Sequence, residues 1–269
     1  MRRYNYRVNE RLRLSAWEQE QRGAAAGCAA AALVPADGEG LSLENARLLI
    51  LADLYRRLAE RSAGRIALAA WGGLSQRAQD EARQLGCFIS DLEAEVPLLC
   101  VEARDYAHLS RSRQRQKTLL CGRLFNRSGL STADLLPDFG ADAIRIGLLA
   151  LGPPQRDLVF KYDVLGAGFR FVQRLWRLAQ EAGQGGEALN ASELQAQVEE
   201  RLAQGKPHTA LAAIMGTANR LKRPNPAAPA VLAQLVEPFA PFIASALLEF
   251  LAVPALQDDQ GGDGHSADS

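Results

Sequence analysis

The stretch "GADAIRIGLLALGPPQRDLVFKYDVLGAGFRFVQRLWRL", Gly140–Leu178, joins two halves of different character. Before it, short apolar runs ending in glycine or proline alternate with segments of helical periodicity. After Pro154 strand signals stop. The segments 163–182, 190–204, 207–221 and 227–252 repeat their apolar residues at helical spacing with helix breakers between them, the pattern of a helical bundle.

In the first half, "GCAAAALV" (27–34) is a short apolar run closed by the turn signal "PADGEG", and reads as a buried strand followed by a loop. From Leu41 the apolar positions Leu43, Ala46, Ile50, Leu54 and Leu58 mark a helix, with Ser42 as N-cap and Gly64 as stop. "RIALAAWGG" (65–73) is a second buried strand. "SQRAQDEARQLG" (75–86) is a helix opened by Ser75 and closed by Gly86, and "VPLLCVEA" (96–103) is a third strand. Strand, helix, strand, helix, strand is the rhythm of a parallel sheet with crossover helices. "TLLCGRLF" (118–125) reads as a further short strand. The predicted fold class is therefore α/β: a Rossmann-like parallel-sheet nucleotide-binding domain followed by an α-helical bundle. The segmentation is a charged N-terminal arm or loose first helix (1–23), the nucleotide-binding domain (24–150), the helical domain (151–255) and an acidic disordered tail (256–269).

Composition narrows the function classes. The chain has 269 residues, 48% hydrophobic and 23% charged, with 31 basic against 31 acidic side chains. Zero formal net charge removes any global electrostatic case for nucleic acid, so such a case must be local. It is local at 104–127, where Arg104, Arg111, Arg113, Arg115, Lys117, Arg123 and Arg127 face Asp105 alone. The cysteines Cys28, Cys87, Cys100 and Cys121 form no C-x-x-C pair, and His108, His208 and His265 have no metal spacing. They predict reduced core thiols, no zinc and a cytoplasmic protein. The run 28–34 is too short for a bilayer, and "MRRYNYRVNERLRL" lacks the apolar core of a signal peptide, so no membrane association is expected.

The 132–178 stretch resembles the join between the catalytic and anticodon-binding domains of class I aminoacyl-tRNA synthetases, and leucyl-tRNA synthetases above all. The matching residues are Asp134-Leu135-Leu136, Phe139-Gly140-Ala141-Asp142-Ala143-Ile144-Arg145, Gly152-Pro153-Pro154, Asp157-Leu158, Arg170-Phe171 and Arg174-Leu175-Trp176-Arg177-Leu178. "LVEPFAPFIASALLEFL" (235–251) is similar to that family's last bundle helix. "LSLENARLLILADLYRRLAERSAG" (41–64) is similar to the helix that opens with the HIGH motif, and "AAWGG" (69–73) to the Gly-Trp segment after it. The large editing domain and zinc modules of the family have no room here, because only residues 87–117 are available between the two halves of the nucleotide-binding fold. The resemblance thus implies a minimal, truncated relative.

It also implies chemistry that the residues only partly supply. Amino-acid activation needs donors aimed at the α-phosphate of ATP, where negative charge builds. The family provides them with H-(I/V)-G-H at a helix N-terminus and with the lysines of K-M-S-K-S. At the first position this chain reads Ser42-Leu43-Glu44-Asn45; both histidines are absent and Glu44 replaces the glycine. Either Glu44 opposes the triphosphate, or Ser42 and Glu44 are simply the cap and the acidic first turn of a helix. Asn45 can still donate one hydrogen bond. Near the second position, Cys121-Gly122-Arg123-Leu124-Phe125, no lysine remains. Arg123 and Arg127, with Asn126 and Ser128, are substitute phosphate ligands or else a solvated loop. Arg111, Arg113, Arg115 and Lys117 share one side of an extended segment and fit a tRNA phosphate backbone or a soluble loop. Lys206, Arg220, Lys222 and Arg223 form a second basic patch, while Phe171 and Trp176 read as core. No residue is assigned a catalytic role. ATP is expected to bind weakly at Ser42, Asn45, Arg123 and Arg127. Three functions remain open: a scaffold that binds tRNA or an aminoacyl-adenylate with little or no aminoacylation, an enzyme activating an amino acid for another acceptor such as a carrier protein, and an interaction module that binds a synthetase or other protein through its bundle.

Overall fold

The computed structural model describes residues 3–21, 29–35, 38, 40–90, 99–105 and 117–252. Its central feature is a four-stranded parallel sheet in the order β2-β1-β3-β4, formed by Ala29–Leu33 (β1), Ala67–Trp71 (β2), Leu99–Ala103 (β3) and Thr118–Cys121 (β4). Ala31 of β1 lies opposite Ala69 of β2 on one side and Cys100 of β3 on the other. The order reverses between β1 and β3, the place where open α/β sheets bind ligands. Helix α2 (Leu43–Ala63) runs from that point across the sheet. It begins at Ser42, whose hydroxyl accepts the N–H of Asn45, and ends at Gly64. The side chains from Leu48 to Leu54 are all buried, because the sheet covers one side of α2 and α5 the other. Helix α3 (Gln76–Gln84) is capped by Ser75.

The predicted strand 118–125 is two strands. Gly122 interrupts it: a Cβ there would sit 2.3 Å from the carbonyl carbon of Arg156, so the chain turns away from the sheet. Leu124–Phe125 (β5) then pairs in parallel with Leu158–Val159 (β6). That pairing corrects the expectation of no strand after Pro154. β6 is only two residues long and is held by its partner, Leu158 and Phe160 donating to the carbonyls of Arg123 and Phe125.

The helical half consists of α4 (Thr132–Phe139), α5 (Ala141–Ala150), α6 (Asp163–Glu181), α7 (Ala191–Ala203), α8 (Pro207–Arg220), α9 (Ala227–Val236) and α10 (Pro241–Ala252). The predicted helix 227–252 is two helices, because Pro238 and Pro241 cannot donate to a continuous ladder. Helix α6 crosses α5 in close contact: a Cβ on Gly168 would stand 2.6 Å from the carbonyl oxygen of Ala143. Phe171 is buried, and Trp176 packs between Tyr4 and Phe250 at 5.5 and 5.2 Å between ring centroids.

Of the two expectations for the first segment, an arm or a loose first helix, the described residues form the helix. Tyr6–Gln21 forms α1, with Tyr4, Glu10 and Arg13 buried. Glu10 accepts the N–H groups of Ala141 and Asp142 at the start of α5, at 2.9 and 3.4 Å. Asp142 in turn accepts those of Phe242 and Ile243 at the start of α10, at 3.3 and 2.5 Å. Burial and the neighbouring Asp142 charge push Glu10 up to about 8. Burial also raises Asp142, against the pull of the Ile243 N–H and of Arg145.

Arg145, at 0% exposure, ties the halves together. Its guanidinium donates to the carbonyls of Leu85, Pro238 and Phe239 and to Asp53 of α2, all within 3.1 Å. Asp53 also receives Arg56 and Arg57. Burial alone would raise Asp53, but Arg57, Arg56 and Arg145 outweigh it and hold the carboxyl well below the usual range.

Candidate functional site

At the crevice expected beyond the carboxyl ends of β1 and β3, hydrogen bonds and ion pairs gather Pro35, the start of α2, the 121–125 turn, the 152–157 loop, Arg104 and Asp105. The 121–125 turn lies beside the N-terminus of α2. Glu44 makes the connection, its Oε1 accepting the N–H of Leu124 at 3.1 Å. The half-buried carboxylate is therefore both the acid of the first helical turn and an intramolecular tether. Glu81 of α3 holds the frame from behind, accepting the Leu41 N–H at 2.9 Å and the Thr132 hydroxyl at 2.8 Å.

Of the four residues predicted to meet ATP, three have partners within the chain. Ser42 is spent on its cap. Asn45 is fully buried, and its Nδ2 donates to the Pro35 carbonyl at 2.8 Å. What it has left is an acceptor, since among the described residues its Oδ1 has no hydrogen-bond partner. The expected free donor is already used, and an acceptor does not suit phosphate. Arg123 is ion-paired to Asp105 at 2.9 Å, lies over the Phe125 ring, and donates its backbone N–H to Asp157 at 2.9 Å. Arg127 is exposed in a turn knitted by Asn126, whose Oδ1 accepts the Ser128 hydroxyl at 2.6 Å and whose Nδ2 donates to the Leu130 carbonyl. Arg104 donates to the Gln155 carbonyl and stands 3.8 Å from Asp157. Of the basic series proposed for tRNA, Lys117 is exposed at the start of β4, and Arg111, Arg113 and Arg115 lie outside the described residues.

Beneath the turn lies Arg47, 2% exposed, whose Nη2 donates to Pro153 at 3.3 Å and whose Nε has no partner among the described residues. Burial lowers its pKa. Cys121 is free and buried, and burial pushes its thiol up to about 12. Cys87 is free and buried as well, Cys100 is buried, and Cys28 lies outside the described residues. Among the described residues no cluster of His, Cys, Asp or Glu could hold a metal ion, and no helix is long and apolar enough to cross a membrane.

The donors that could meet a triphosphate at this crevice are thus largely engaged within the chain. Glu44, Asp105 and Asp157 do that work. Sequence reasoning placed Glu44 in the helix but did not find its partner, which is 80 residues away. Arg145 was read as the end of the Phe139–Arg145 match, with no partner assigned to it.

No family model matches the chain. Curated relatives do. The chain is 33% identical over 145 residues to a leucine–tRNA ligase of Synechococcus elongatus, the match covering 46% of this chain and 17% of that protein. It is 34% identical over 135 residues to one from Sphingopyxis alaskensis, covering 46% and 16%. Among solved structures, it is similar to the leucyl-tRNA synthetase of Agrobacterium radiobacter K84 in a ternary complex with tRNA and LeuAMS. That match has TM-score 0.43 and 16% identity, covering 59% of this chain and 28% of that one. Methionyl-tRNA synthetase of Mycobacterium tuberculosis bound by methionyl-adenylate gives TM-score 0.45 at 16% identity, covering 57% and 44%. The parallel sheet and these sequence relatives define a class I aminoacyl-tRNA synthetase-like protein. Within that class the chain is leucyl-tRNA synthetase-like, and it spans about a sixth of the length of the leucine–tRNA ligases named above.

Proposed function

We propose that this chain is a cytoplasmic synthetase-like scaffold that binds tRNA or an aminoacyl-adenylate and is weak or inactive in aminoacylation. In this reading residues 24–150 serve as the nucleotide-binding unit and 151–255 as the anticodon-binding-like unit. The observation that carries it is Glu44, a carboxylate at the helix N-terminus where the family places phosphate donors, tethered to the loop where the family places its lysines. ATP accordingly binds in the millimolar range or worse, which corresponds to about 4 kcal/mol. The test is ATP–pyrophosphate exchange with each of the twenty amino acids, beside filter binding of tRNA at low salt. The expected result is exchange at background with retention of tRNA. Exchange with any amino acid in the absence of tRNA would replace this reading with an activating enzyme for another acceptor. Loss of both signals would leave a protein-docking module.

A further inference from the structure

A groove of about 600 Å³ runs between α7 and α8, its turn end close to the 152–157 loop, where a Cβ on Gly205 would stand 3.5 Å from the Gln155 side-chain nitrogen. Three cations line it, Arg201 on α7, Lys206 in the turn and Arg220 at the end of α8, and no acid is among its lining residues. Each cation is oriented by a neutral acceptor. Arg201 donates to the Thr209 carbonyl at 2.7 Å, Lys206 to the Gln204 side-chain carbonyl at 2.9 Å, and Arg220 to the Thr217 hydroxyl at 3.1 Å. Among the described residues none of the three has an ion-pair partner, whereas Arg104 and Arg123 at the crevice face Asp157 and Asp105. Glu200, beside Arg201 in the chain, accepts the Gln204 amide at 3.1 Å. Positive charge fixed in place without a counter-charge is an arrangement prepared for an anion.

The spacing selects the kind of anion. Lys206 and Arg220 lie fourteen residues apart along α8, about 20 Å at the rise of a helix. A lone phosphate cannot reach both, but a chain of phosphates can. Ala212, Ala213 and Gly216 keep the floor low, so a strand can settle between the helices. No aromatic ring lines the groove, which leaves nothing to stack a base.

We propose that the α7–α8 groove holds the backbone of a single-stranded RNA segment, through phosphate contacts to Arg201, Lys206 and Arg220 and with no reading of sequence. The proposal rests on the RNA-binding reading above and locates it. The test is fluorescence anisotropy with an unstructured RNA of about 20 nucleotides across a salt series, a length chosen to overspan the groove. The variants are Arg201→Gln/Lys206→Gln/Arg220→Gln together, and the charge-keeping Arg201→Lys/Arg220→Lys. The neutral variant should bind at least about tenfold more weakly at low salt and lower the log–log salt slope by about 2, three charges at roughly 0.7 each. The charge-keeping variant should retain most of the affinity, and the melting temperatures should match the parent. An unchanged slope in the neutral variant overturns the groove assignment while leaving RNA binding itself intact. No binding of RNA by the parent overturns both. Competition by inorganic phosphate as effective as by RNA, at equal phosphate concentration, overturns the choice of a strand.

Discussion

Replacing Glu44 by Gln should lower stability and raise affinity for ATP in the same protein. The carboxylate Oε1 accepts the Leu124 N–H at 3.1 Å from the first turn of α2. A neutral amide keeps the acceptor but gives up the extra strength of a charged bond, about 1 kcal/mol, and the favourable contact with the helix dipole, about 0.5 kcal/mol. For a chain of this size that loss lowers the melting temperature by about 3–6 °C. The effect on ATP has the opposite sign. A carboxylate at ~4 Å from a phosphate repels it by about 4 kcal/mol at an effective dielectric near 20. Glu44 is half-buried, so solvent screening reduces this, leaving a gain of about ten- to a hundredfold in affinity. Thermal unfolding and titration calorimetry read the two changes on one sample. A drop in stability with unchanged ATP affinity would refute the placement of Glu44 against the phosphates. A gain in affinity at unaltered stability would refute its role as a tether.

Arg145→Met leaves three buried carbonyls without a donor and removes one of the cations around Asp53. Urea unfolding should show a loss of about 3–5 kcal/mol, and a loss below about 1 kcal/mol would contradict the central role of the network. Gly122→Ala puts a methyl 2.3 Å from the Arg156 backbone and should cost at least about 2 kcal/mol, with β5–β6 amides losing hydrogen-exchange protection first. Glu10 titrates higher in the folded chain, at about 8, than in the unfolded one, so the native state holds the extra proton between the ordinary carboxylate range and pH 8. Its contribution to stability is complete at low pH and lost as pH rises through 8. Glu10→Gln should therefore gain on the parent in urea midpoint between pH 5 and pH 8; a constant difference would show that Glu10 is not the titrating group.

What the sequence made legible was local. Ser42, Gly64 and Ser75 act within a few residues of themselves, and each sits where the pattern put it. The parallel sheet followed from the alternation of apolar runs with helices. Non-local contacts were not legible. Gly122 breaks the 118–125 strand because of Arg156, and β6 exists because β5 lies alongside it. The 227–252 division was within reach, since Pro238 and Pro241 are local breakers, but continuous apolar periodicity across them concealed it. At the crevice, Arg123 looked like a free cation because Asp105, which pairs with its guanidinium, lies 18 residues before it. The basic groove was half visible: Lys206 and Arg220 stood out, while Arg201 joins them only when α7 folds against α8.

The two buried carboxylates at the helix starts have a consequence for how the chain opens. Glu10 closes the N-terminus of α5, and Asp142, the residue beside that contact, closes the N-terminus of α10. Detaching α1 uncovers Ala141 and Asp142 together, and so exposes the acid on which α10 depends. The first and last helices are then one unit of local unfolding although they stand at opposite ends of the described chain. Their amide protons should exchange at a common rate, and loosening either helix should release the other before the parallel sheet gives way.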